Sequence, residues 1–183
     1  LKTLLCTLVV LLCGGRLFAQ AAPAGVGPGT SVSIGGGISM YKLQYGERWL
    51  GGAHGWIDAN PYWWLGVEGE ARWLRLNQDA NTHATTYLIG PRVSLRSGKL
   101  EPYVKVLAGA GKFNFPFNYA KGTYMVVAGG GGVDLHLGDR WKIRAIDIEY
   151  QTWPQFTFGA MKSYGASIGI SYNILGRTTK LSR

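Results

Sequence analysis

The sequence predicts an all-β protein, an eight-stranded antiparallel up-and-down transmembrane β-barrel. Three observations point there. Eight segments alternate apolar and polar residues with a period of two, and none sustains a helical period. Their connections alternate between tight turns and longer loops rich in aromatics. Beyond the N-terminal region no apolar stretch approaches the roughly 18 residues that a membrane helix needs. Yet charged residues make up only 16% of the chain, while glycines number 28.

The first 21 residues are read as an export signal. Lys2, the apolar run Leu4 to Cys13 and the small-residue site Ala19-Gln20-Ala21 have the three-part layout of a cleavable secretory peptide, with cleavage expected after Ala21. The run is too short for a membrane helix, and Gly14-Gly15-Arg16 breaks it. A lipoprotein reading through Cys13 is weak, because Val10-Leu11-Leu12 places a bulky Leu where a small residue is needed. Both cysteines, Cys6 and Cys13, fall inside the peptide, so the mature chain has no disulfide framework and no thiol site. Without Lys2 and Arg16 the excess of basic over acidic residues falls from +9 to about +7. In an exported chain that charge meets anionic lipid rather than nucleic acid. Residues 22–30 are expected to be a short periplasmic segment, 31–175 the barrel, and 176–183 a basic C-terminal tail.

The strands follow in order. The first, Ser31 to Leu43, is glycine-rich at Ile34-Gly35-Gly36-Gly37-Ile38, and the second runs from Trp49 to Asn60. After the turn Asn60-Pro61-Tyr62, the third (Trp63 to Leu76) sets Trp63, Leu65, Val67, Gly69, Ala71 and Trp73 against Gly66, Glu68, Glu70 and Arg72. In the fourth, Thr82 to Arg96, Tyr87, Ile89, Val93 and Leu95 oppose Thr86, Gly90, Arg92 and Ser94. The turn Ser97 to Glu101 leads to the fifth strand, Pro102 to Asn114, and the sixth is Thr123 to Leu137. Gly129 to Gly132 within it resembles a phosphate-cradling loop but precedes no helix, so it reads as a strand allowing close packing or a bend. Gly138-Asp139-Arg140 turns into the seventh, Trp141 to Trp153. There Ile146, Ile148 and Tyr150 face one way and Asp147 and Glu149 the other, which leaves Arg144 on the apolar face by strict parity. A β-bulge near Ala145 would turn it inward toward Asp134; without one, Arg144 reaches along the surface to water. The eighth strand, Ser163 to Ile174, sets Tyr164, Ala166, Ile168, Ile170, Tyr172 and Ile174 against Gly165, Ser167, Gly169, Ser171 and Asn173.

Alternation alone does not say which face is inside, since a soluble barrel uses the same period with reversed polarity. Aromatics near strand ends on the apolar face (Trp63, Trp73, Tyr150, Tyr172) suit interfacial girdles. Glycines on the other face (Gly35, Gly37, Gly109, Gly111, Gly130, Gly132) suit a narrow lumen. No segment supplies the C-terminal helix that a lipocalin packs on its barrel. Lipid is therefore expected outside, with short turns and both termini in the periplasm.

At the last strand, Ser167-Ile168-Gly169-Ile170-Ser171-Tyr172-Asn173-Ile174 and also Ser163 to Ile170 fit the polar-x-Gly-x-x-apolar-x-apolar pattern that resembles the assembly signal of outer-membrane barrels. With the export signal and the glycine-rich first strand, the mature chain resembles the OmpA-like or porin-like outer-membrane β-barrel superfamily of Gram-negative bacteria. The resemblance implies residence in the outer membrane and delivery by the barrel-assembly machinery, and is nearly silent on activity. The tail Gly176 to Arg183 departs from barrels that end on the final strand.

The inward face is expected to collect a charge network of Glu68, Glu70, Arg72, Arg92, Lys105, Asp134, Asp147 and Glu149, with Glu68 paired to Arg92 and Lys105 beside them. Glu68 and Glu70 could form a catalytic acid and base. A lumen only as wide as its side chains, in which charges must pair, favours a structural network that also opposes a general porin. No catalytic residue, cofactor or metal is expected. His54, His83 and His136 sit on different strands without metal-ligand spacing. Lipid A deacylases of this size carry a lipid-facing His-x-Ser, to which His83-Ala84-Thr85 is an imitation lacking the Ser. The loop aromatics Phe115, Phe117, Tyr119, Phe156 and Phe158 either pack on the rim with Phe113 and Trp153 or form a surface for an unknown ligand. Lys42, Arg75, Lys112 and Lys162 fall outward near external strand ends and are expected to form a partial belt at one height, where they either bind lipopolysaccharide phosphates or snorkel to water. The function expected is a non-enzymatic envelope protein, structural or surface-binding. The alternatives are a narrow channel for small solutes and a lipid-modifying enzyme.

Overall fold

A computed structural model of the chain describes residues 30–44, 49–76, 82–114, 121–155 and 159–175. They form a closed barrel of eight strands: β1 (Ser31–Leu43), β2 (Trp49–Asn60), β3 (Leu65–Leu76), β4 (His83–Ser94), β5 (Leu100–Asn114), β6 (Lys121–His136), β7 (Trp141–Trp153) and β8 (Met161–Leu175). Each strand pairs antiparallel with its sequence neighbour. β1 closes the circle on β8, with Val32 opposite Leu175 and Leu43 opposite Ser163. A closed ladder satisfies every strand's backbone without leaving an edge, the condition for crossing lipid with strands. The expected export peptide, the tail and the loop aromatics Phe115, Phe117, Tyr119, Phe156 and Phe158 lie outside the described residues.

Strand bounds differ from expectation mainly at the ends. Trp63 and Trp64 belong to the turn rather than to β3, because Pro61 brings no N–H to the ladder and Tyr62 N–H closes on Leu65 O (3.3 Å). β4 stops at Ser94, and β5 starts at Leu100, where Ser97 and Leu100 exchange two backbone hydrogen bonds across a tight hairpin. Gly98 adopts a φ of 63° there, a conformation that side chains disfavour. β6 reaches back to Lys121, which pairs with Asn114, and β8 to Met161, which pairs with Trp153.

The two faces separate as the alternation predicts. Ile38, Ile57, Ile89, Val104, Val106, Ile148 and Ile168 are exposed on the outer wall. Aromatics flank that apolar band at both ends. Trp49 meets Tyr164 edge-on at 6.4 Å and Trp73 meets Tyr87 at 6.2 Å at the loop end; Trp141 meets Tyr172 at 5.0 Å at the turn end. This is the girdle layout of a membrane barrel. Inside, the wall is smoothed where a large side chain crosses the lumen. A Cβ on Gly35 would strike the Trp56 ring, and one on Gly111 the Trp153 ring.

Strand β7 carries an irregularity that turns a charge inward. Its pairing slips by one residue against both neighbours: Arg144 faces Asp134 while Ile146 faces Val133, and Arg144 faces Gly169 while Asp147 faces Ser167. Ala145 is the extra residue, and both it and Ile146 point outward. Arg144 thereby turns into the lumen, where it is fully buried.

Candidate functional site: the lumen and the basic rim

The lumen is filled in two storeys. Toward the loop end, Tyr41, Leu43, Leu50, Leu74, Leu88, Leu107, Phe113, Val126, Trp153 and Met161 pack into an apolar plug. Phe113 and Tyr124 both meet the Trp153 ring edge-on, at 6.2 and 6.3 Å. Sequence reading placed Phe113 and Trp153 with the loops, where packing on the rim was one of two readings; both are buried inside the barrel. The plug itself was not anticipated, since the inward face was read as carrying charge or glycine.

Below the plug lies the charge network. Lys105 Nζ donates to Glu68 Oε1 (2.8 Å), Glu70 Oε2 (2.9 Å) and Asp147 Oδ2 (2.7 Å), with Glu149 Oε2 at 3.2 Å. Glu68, Glu70 and Asp147 lie close enough to hold a metal ion, but the Lys105 ammonium already stands among them. Arg72 pairs with Glu70 and with Glu149 (2.9 Å) and lies over the Tyr41 ring at 4.2 Å. Tyr41 in turn donates its hydroxyl to Glu149 at 3.1 Å. Arg144 forks onto Glu68 (3.1 and 2.9 Å), reaches Asp134 at 3.4 Å and covers the Trp56 ring at 4.1 Å. Arg92 joins Asp134 (2.7 Å), Asp58 (2.7 Å) and Glu68 (3.3 Å), with Tyr103 beneath its guanidinium at 3.9 Å. All eight residues assigned to the network from sequence are buried there together.

Asp58, Glu101 and Lys142 complete it and were not singled out from the sequence, and His136, weighed there as a metal ligand, joins them. Glu101 meets His136 at 2.6 Å and Lys142 at 4.0 Å toward the turn end. Parity could have found Glu101, which shares the face of Tyr103 and Lys105, and Asp58, which shares that of His54 and Trp56. His54 accepts or donates at Ser39 Oγ (3.0 Å) and stacks on Trp56, so it braces the wall rather than gathering a metal. Interlocked pairs of this kind hold side chains in place, since breaking one strands another charge in low dielectric.

The four outward cations fall into two pairs around the barrel. Lys42 and Lys162 stand on adjoining β1 and β8, with Lys42 opposite Tyr164 and Gln44 N–H bonded to Lys162 O (3.2 Å). Arg75 and Lys112 stand on β3 and β5, on the other side of the barrel by strand order. These two line a cleft of about 270 Å³ with His83, Thr85 and Thr123. His83 and Thr85 share the outer face there.

Residues 6–173 match the family described as outer membrane protein beta-barrel domain. No curated protein matches the sequence. Among solved structures, Neisserial surface protein A superposes with a TM-score of 0.61 at 13% identity, over 79% of this chain and 98% of that one. The N-terminal β-barrel domain of Pseudomonas aeruginosa OprF gives 0.55 at 10% identity, over 79% and 99%. Ail, the attachment invasion locus protein of Yersinia pestis, gives 0.54 at 16% identity, over 80% and 99%. At these identities the likeness is one of fold. With the family match spanning nearly the whole barrel, the closed eight-stranded architecture and the girdled outer wall, the chain belongs to the outer membrane protein β-barrel domain family.

Proposed function

We propose that this barrel is a non-enzymatic envelope protein that works through its outer wall and external loops rather than through its lumen. The observation carrying this reading is the filled interior. Arg72, Arg92, Lys105 and Arg144 are each at most 2% exposed among their carboxylates, beneath a plug whose Leu107, Val126 and Met161 are wholly buried. A solute would have to break several buried ion pairs and displace the plug to pass.

The charge distribution supports a partner at the surface. Seven of the ten acidic residues (Asp58, Glu68, Glu70, Glu101, Asp134, Asp147 and Glu149) are buried in the lumen, against five Lys and Arg (Arg72, Arg92, Lys105, Lys142 and Arg144). Among the described residues the lumen therefore carries more acidic than basic side chains, and outside it Lys42, Arg75, Lys112 and Lys162 suit anionic lipid such as lipopolysaccharide. Recording from the refolded protein in planar bilayers tests the reading. No stepwise current is expected, and a reproducible unitary conductance would overturn it in favour of the narrow channel.

A further inference from the structure

We propose that the cleft on the outer wall between β3 and β6 is a binding site for one phosphorylated membrane lipid of the lipid A class, held by its phosphate. The proposal rests on the reading of the barrel as a protein that acts at its lipid-facing surface, and it names the partner and the place.

Strand register builds the cleft. Thr85, Lys112 and Thr123 stand side by side on β4, β5 and β6, each directly opposite the next. Leu74 pairs with Ala84, so Arg75 and His83 come together just above that row, toward the loops. A guanidinium, an ammonium, an imidazole and two hydroxyls thus surround about 270 Å³ together with Phe113, Asn114 and Gly122, and among the described residues the lining has no carboxylate. Thr85 is only 7% exposed although it faces outward, so it forms a floor rather than open surface. A phosphate has acceptor oxygens on all sides, and charged donors give it its strongest hydrogen bonds, Arg offering two parallel N–H groups at once.

The surroundings select a lipid over a free anion. Trp73, two residues below Arg75 on β3, pairs with Thr85 at the edge of the cleft and meets Tyr87 edge-on, so the site sits at the upper girdle, where lipid headgroups begin. Below that aromatic pair the outer wall opens into an apolar furrow of about 520 Å³, floored by Gly55, Gly69, Ala71 and Ala108 and walled by Ile57 and Ile89. Gly55 lies opposite Ala71, and Gly69 opposite Ile57 and Ile89. One amphiphile can place its phosphate among the cations and an acyl chain along the furrow, past the ring edges of Trp73 and Tyr87. Lys42 and Lys162, on the far side of the barrel, have no share in this cleft.

The test is native mass spectrometry of the refolded full chain titrated with diphosphorylated lipid A. Parallel arms use the same lipid after phosphatase treatment and inorganic phosphate as competitor. One retained lipid is expected for the unaltered protein. R75Q/K112Q should weaken retention about tenfold or more. R96Q/K99Q, which removes the same charge at the turn end, should leave it within about twofold. Folding is judged by heat-modifiable gel mobility, and if the double variant does not fold, K112Q alone is read for the same loss. Equal weakening by both double variants, or undiminished binding of the dephosphorylated lipid, overturns the proposal. So does displacement by inorganic phosphate at matched concentration, which would assign the cleft to a free anion, and so does release of a fatty acid, which would make it an enzyme site. None of these outcomes bears on bilayer conductance, so the closed lumen stands or falls separately.

Discussion

Lys105 and Glu68 meet at 2.8 Å in the middle of the lumen, and neither side chain has any solvent contact. The same ammonium also holds Glu70, Asp147 and Glu149. Replacing Lys105 by Met keeps most of the volume but leaves several carboxylates facing one another in a site with little water. Removing one partner of a buried pair typically costs about 3–5 kcal/mol. K105M should therefore lower the urea midpoint of the folded barrel, and adding E70Q to it should restore part of the loss by removing one of the stranded charges. An unchanged midpoint in K105M would mean that the network contributes no stability.

The slip at Ala145 makes a deletion experiment unusually sharp. Arg144 and Asp147 are three positions apart, so a regular strand would send them to opposite faces; with Ala145 as the extra residue both point inward. Deleting Ala145 removes the bulge and leaves Arg144, Ile146 and Asp147 alternating in, out and in. That variant should still fold and show heat-modifiable mobility. Deleting Ile148, in the regular part of the same strand, instead puts either Arg144 and Asp147 or Glu149 and Gln151 against lipid, and folding should fail. Equal tolerance of the two deletions would contradict the bulge.

How much of this was legible in the sequence follows from what alternation encodes. Parity assigns a face to each residue, so it found the closed eight-stranded fold, the inward Glu68, Glu70, Arg92 and Lys105, and the outward Lys42, Arg75, Lys112 and Lys162. For Arg144 it left two readings, and only the paired register of β6 and β8 selects the bulge. Parity says nothing of which inward residues meet across the lumen. Tyr41 to Glu149 and Arg144 to Trp56 join strands far apart in sequence, and closure of the barrel brings them together. Nor does it distinguish an apolar residue facing lipid from one facing a plug. Leu107 lies in the run Val106-Leu107-Ala108, where neighbours on both faces are apolar, and it is wholly buried inside. The basic cleft was missed for a related reason. Lys112 and Arg75 were grouped with Lys42 and Lys162 by height, whereas lateral neighbours on a barrel are set by strand order and register.

Truncating Trp153 separates the two storeys of the lumen. Trp153 reaches across the loop end of the barrel, packs on Phe113 and Tyr124, and fills the space that Gly111 leaves by having no side chain. Trp153→Ala removes a buried indole that the surrounding strands cannot collapse around, because their positions are fixed by ladders on both sides. Such truncations typically cost about 3–5 kcal/mol, so the unfolding midpoint should fall clearly. Conduction should not follow. Beneath the vacated space Arg72 still spans from Glu70 to Glu149, and Lys105 still sits among its carboxylates, so an ion entering from the loop end meets a second closure made of paired charges. W153A in planar bilayers should therefore remain silent while K105A/W153A, with both closures weakened, is the variant expected to pass current. A steady current from W153A alone would show that the apolar plug is the sole seal and that the ion pairs beneath it serve stability only.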